Sequence, residues 1–159
     1  MIIKQRMTAK MEDSFVVFLI GMRINKFWKF HKWLPVARSM PRMIKELMAN
    51  KDMGFISAEA WFGRTTIMVQ YWESFEKLEA YARSKDGQHF PAWQDFNRHI
   101  KSNGDVGIWH ETYLIPKGNH ESVYNNMPRF GLGKAGELIP AVGNYHHTMQ
   151  KTGLLPKGR

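Results

Sequence analysis

The 159-residue chain carries 23 Lys and Arg against 14 Asp and Glu, a formal charge of +9 with its seven His neutral. Hydrophobic residues make up 43% and charged residues 23%, which is too apolar for disorder and enough for one domain with its own core. Cysteine is absent, so disulfides, zinc-thiolate sites, iron–sulfur clusters and a cysteine nucleophile are excluded.

Residues 1–13 are polar and rich in Met and Lys, and they read as a flexible N-terminal arm. Phe15–Gly21 is the longest apolar run. It is far below the ~20 residues that span a bilayer, and Glu12 and Asp13 precede it without a cleavage site after it. The expectation is a cytoplasmic protein with no membrane partner. Ser14–Ile24 as a whole reads as a buried strand.

The basic and aromatic residues of 25–33 interleave in a way that suits base stacking, or equally a helix entry with solvated lysines. The second reading is preferred, because Lys and Arg are otherwise spread along the chain rather than concentrated on one tract. No nucleic-acid partner is expected. Leu34–Asn50 has helical periodicity, with Met40, Met43, Ile44, Leu47 and Met48 as its inward stripe. Pro41 removes a backbone donor mid-way, so a kink or two helices is expected.

Phe55–Phe62 and Arg64–Trp72 read as a hairpin about Gly63. Ser74 is placed to cap a helix over Phe75–Ser84, which Asp86-Gly87 ends. A short helix begins near Pro91, and Asn103-Gly104 turns the chain into a last strand, Val106–Ile115. The order β-α-β-β-α-β over residues 14–116 is an α+β, ferredoxin-like arrangement. Residues 117–159 follow as an irregular C-terminal extension, with a short strand expected near Glu121–Asn125.

The first core strand is apolar on both faces, Val16, Phe18, Ile20 and Met22 on one and Phe15, Val17 and Leu19 on the other. Helices cover only one face of such a sheet, so the other needs a cover of its own. A second copy of the sheet supplies it, which predicts a homodimer of the dimeric α+β barrel type.

With the strands placed, several phrases stand out: Ile20-Gly-Met-Arg-Ile-Asn25, His31-Lys-Trp-Leu-Pro35, Trp61-Phe-Gly-Arg-Thr-Thr66, Gln70-Tyr-Trp72, Gly107-Ile-Trp-His-Glu-Thr-Tyr113 and Phe130-Gly-Leu-Gly133. Together they resemble a bacterial and fungal family of unknown function, named for its likeness to the monooxygenase of the fumagillin pathway. The likeness covers about residues 15–135 and implies a dimeric α+β barrel and an oxidoreductase. A second likeness joins Leu78-Glu-Ala-Tyr-Ala82 and His89 to the haem-dependent aldoxime dehydratases, where Leu-Glu-x-Trp-Ala leads to the histidine that ligates haem iron.

The candidate chemistry follows from these placements. Period two puts Ile108, His110 and Thr112 on one face of the last strand and Trp109, Glu111 and Tyr113 on the other, so either His110 or Glu111 faces the cavity. A histidine there is a candidate base. Arg23 can hold a carboxylate or pair with Glu59 or Glu111, and Gln70 and Arg64 are polar groups within or at the ends of apolar strands. The catalytic candidates are thus His110, Arg23 and Gln70. The cofactor candidates are His89, Trp93 and Arg64, with His89 as iron ligand if haem is bound. The expected function is monooxygenase-like oxidation of a small hydrophobic substrate in an aromatic-lined pocket. A haem-dependent dehydratase of aldoxime type and a non-catalytic binder of haem or an apolar acid are the alternatives.

Overall fold

The computed structural model describes residues 1–84, 94 and 104–142. Its elements are β1 (Met7–Lys10), β2 (Phe15–Ile24), α1 (Phe30–Ala49), a 3-10 turn (Lys51–Met53), β3 (Phe55–Trp61), β4 (Ile67–Trp72), α2 (Phe75–Arg83), β5 (Val106–Ile115), the one-turn helix α3 (Leu132–Ala135) and β6 (Glu137–Pro140). Four strands form an antiparallel sheet in the order β3-β4-β2-β5, while β1 and β6 pair as a separate two-stranded sheet. The four-stranded order, with the first and third core strands at its centre, is ferredoxin-like.

Register follows from the apolar alternation of β2. Val16 lies between Trp72 and Leu114, Phe18 between Gln70 and Thr112, and Ile20 between Met68 and His110. These even-numbered residues share the face on which the helices pack. Val16, Trp72 and Phe55 meet Met43 and Leu47 of α1 and Leu78 and Tyr81 of α2 in the main core. Further along, Met22, Ile24 and Val106 meet Trp33, Val36 and Ala37. α2 starts as expected, with the Ser74 hydroxyl accepting from the Lys77 amide at 3.3 Å.

Several expectations are corrected. α1 is unbroken across both Pro35 and Pro41. Each proline removes one backbone donor, yet apolar residues on both sides of Pro41 pack on the sheet and hold the helix together. Met48 is 57% exposed and leaves the inward stripe. The hairpin loop runs from 62 to 66 rather than turning at Gly63, because Arg64–Thr66 fold back along β2. The Thr66 amide donates to the Met22 carbonyl at 2.8 Å, and Ile24 donates to Arg64, also at 2.8 Å.

Part of the expected N-terminal arm is built into the fold. Met7, Thr8 and Ala9 are buried, and β1 pairs residue for residue with β6. Tyr124 bridges Met7 in place of a full strand at 121–125. Ala9, Phe15 and Leu132 form a third cluster with Val17, Tyr71 and Tyr124. The C-terminal extension thereby covers one end of the sheet face that the helices leave open.

Candidate active site

The helix side of the sheet and α1 do not close fully on one another. Between them, and reaching α2, lies a cavity of about 1210 Å³, somewhat larger than the ~300–1,000 Å³ of typical small-molecule sites. Ile20, Met22 and Ile108 form an apolar floor, Trp33, Val36 and Met40 of α1 form a wall, and Trp61 and Phe62 stand at its end.

His110 is the titratable group that β5 turns into this cavity. Ile20 pairs with it across the strands, and its ring lies 5.7 Å from that of Phe18. The imidazole makes no hydrogen bond to another described residue. Thr112 lies on the same face, two residues on. The alternation that turns His110 inward turns Glu111 to the opposite face, where it accepts from the Tyr113 hydroxyl at 2.6 Å. That bond to a carboxylate raises the Tyr113 pKa above its ordinary value.

The other candidates are not gathered around His110. Gln70 is on the helix side but buried, and its Oε1 accepts the Trp72 indole N–H at 2.9 Å. It satisfies a core tryptophan. Arg23 lies on the other face, exposed, with Nη1 donating to Thr65 Oγ1 at 2.8 Å. The ion pair expected for it with Glu59 or Glu111 does not form, since Glu59 takes Lys134 at 3.3 Å and Glu111 takes Tyr113. Arg64 donates from Nε to the Ile24 carbonyl at 3.3 Å and holds its guanidinium 5.9 Å from the Phe27 ring centroid. Neither arginine lines the cavity. His89 and Trp93 lie outside the described residues. The described residues contain no group of three metal-ligating side chains.

Two residues with decisive roles were not singled out by the sequence pattern. Gly21 is one. A Cβ on it would sit 2.0 Å from the Thr66 carbonyl oxygen and 2.7 Å from the Trp109 indole nitrogen. The missing side chain brings together three of the phrases on which the family likeness rests: 20–25, 61–66 and 107–113. Asp105 is the other. Its side chain is 3% exposed and meets Lys26 at 2.8 Å and Lys29 at 2.8 Å. Its backbone carbonyl accepts the amides of Asn25 and Lys26. Hydrogen bonds from Lys26 and Lys29 hold the Asp105 carboxyl below its usual range. Lys26 and Lys29, expected to be solvated, are instead tied to Asp105, just before β5. Asp105 and its lysines lie 76 or more residues apart in the chain, so local pattern did not signal the pairing.

Residues 15–132 match the family described as monooxygenase af470-like. The chain belongs to that family. Over 138 residues it is 28% identical to monooxygenase af470 of Aspergillus fumigatus, an alignment covering 80% of this chain and 48% of that protein. The chain thus spans about half the length of its curated relative. Among solved structures, an aldoxime dehydratase in complex with butyraldoxime superposes with a TM-score of 0.64 at 15% identity, covering 84% of this chain and 40% of that one. That likeness shows a shared fold. No helix among the described residues is long and apolar enough to cross a membrane.

Proposed function

We propose that the chain is a monooxygenase-like oxidoreductase whose substrate is a hydrophobic molecule with an activated C–H bond, held in the cavity between α1 and the sheet. The observation that carries this reading is His110, an imidazole with no hydrogen bond to another described residue, on an otherwise largely apolar floor. Membership of the monooxygenase af470-like family supports the same reaction class.

His110 takes the proton of an activated methylene, and the carbanion left behind passes its electrons to molecular oxygen. The carbon–oxygen bond forms, one oxygen atom stays in the product as a carbonyl, and the other leaves as water. The substrate is the only reductant. The apolar floor and walls hold the hydrophobic body of the substrate beside His110. Thr112 stands within the same face to donate a hydrogen bond to the developing oxyanion.

The uncovered part of the open sheet face supports a homodimer. Leu19 and Val69 are half-buried there, and Tyr113 is 48% exposed. A second copy laid on this face covers these side chains.

The test is oxygen uptake with anthrone, an apolar ketone with an activated methylene, and no added cofactor. One oxygen consumed per anthraquinone formed supports the reading. No turnover above the buffer rate for this and related apolar ketones argues for a binding protein. The absorbance spectrum of protein purified from haem-supplemented cells separates the haem-dependent alternatives. A Soret band that is lost in His89→Ala would favour them.

A further inference from the structure

The loop between β2 and α1 presents Phe27, Trp28 and Phe30 at 51%, 73% and 63% exposure, and Phe62 in the β3–β4 loop is 86% exposed. These loops meet. Arg64 bonds to Ile24 through both its backbone carbonyl and its side chain, and its guanidinium covers the Phe27 ring. The aromatic residues do not point outward for want of anchoring. Asp105 grips Lys26 and Lys29, and the Trp33 indole donates to the Phe27 carbonyl at 3.0 Å. A loop pinned at this many points still turns large apolar rings to water, which marks an interaction surface.

The surface is continuous with the cavity, since Phe62 belongs to both the lip and the cavity wall. Beyond the lip, α1 carries the exposed cations Arg38, Arg42 and Lys45 at helical spacing, and Arg38 and Arg42 also border the cavity. These three cations form no ion pair among the described residues. Aromatic rings beside unpaired cations fit the boundary between lipid headgroups and acyl chains, with the cations attracted to anionic headgroups. A single-stranded nucleic acid would need free cations among the rings; there Lys26 and Lys29 are held by Asp105, and Arg64 is tied to the Ile24 carbonyl over the Phe27 ring.

We propose that the lip of Phe27, Trp28, Phe30 and Phe62 docks on an anionic lipid surface, placing the cavity mouth where an apolar ligand can pass from the lipid into the protein. This concerns how the ligand arrives, and stands apart from the reaction assigned to His110.

The experiment is sedimentation of the full chain with vesicles of phosphatidylcholine and phosphatidylglycerol (7:3), against vesicles of phosphatidylcholine alone. At least tenfold stronger partition into the anionic vesicles is expected. Trp28→Ser combined with Phe62→Ser should lower that partition at least tenfold, with the melting temperature as a check on folding. Arg38→Gln with Arg42→Gln should weaken it on anionic vesicles, a variant pair that leaves the lip intact. Brominated acyl chains should quench wild-type tryptophan fluorescence, and quench Trp28→Ser less. Equal partition of the wild type and the lip variants, or binding to a single-stranded oligonucleotide without partition into vesicles, overturns the proposal.

Discussion

The imidazole of His110 lies 5.7 Å from the ring of Phe18, on neighbouring strands of the sheet face that looks towards α1. Strand alternation alone creates this relationship. Once β2 buries Val16 against the helices, the register of β2 with β5 turns His110 to the same side.

Gln70 tests the difference between a buried polar residue and a catalytic one. Its Oε1 is the acceptor for Trp72, itself 1% exposed. Gln70→Leu should leave the indole N–H unsatisfied and cost about 1–3 kcal/mol. The measurement is the urea unfolding midpoint, which should fall with an unchanged denaturant slope.

Gly21→Ala should be more damaging than its size suggests. The new Cβ would meet the Thr66 carbonyl, a backbone group that cannot swing away. Overpacking of this kind costs about 1–3 kcal/mol or more, and each kcal/mol lowers the melting temperature by roughly 2–4 °C in a domain of this size. A melting temperature equal to wild type would show that the loop 62–66 does not press on β2.

The folded-state pKa of Asp105 is lowered by Lys26 and Lys29. The ion pairs therefore stabilise the fold fully above the unfolded carboxyl value of about 3.9. That contribution is lost as pH falls from there through the lower folded value. Acid unfolding followed by tryptophan fluorescence should be displaced in Asp105→Asn, which lacks this contribution at every pH.

The open sheet face makes a prediction about assembly. Val69→Glu places a charge beside Leu19, its partner in the register, away from the helix-side core. Sedimentation equilibrium should give a dimer for the wild type and a monomer for the variant. A wild-type monomer at micromolar concentration would show that no second copy covers this face.

Much of the fold was legible because its signals are local. The alternation of residues 15–24 and 106–115, the Ser74 cap and the apolar stripe of α1 each declare themselves within one segment. The N-terminal strand did not. Met7–Lys10 becomes a strand only through Glu137–Pro140, about 130 residues away, and four polar-flanked residues carry no periodicity of their own. The site divides in the same way. His110 could be placed on a face by counting in twos, leaving only the choice between it and Glu111. Arg23, Arg64 and Asp105 depend on loops meeting across the end of the sheet, and residue type alone could not tell an ion pair to Glu59 from a bond to Thr65.

Steady-state oxidation of anthrone by His110→Ala, read in an oxygen electrode beside the wild type, tests His110 as the base. His110 is exposed on β5 and its loss leaves the main core intact. kcat should fall about 100-fold or more, with little change in KM or in the far-ultraviolet circular dichroism spectrum. An unchanged kcat in a folded variant would contradict the assignment of His110 as the base.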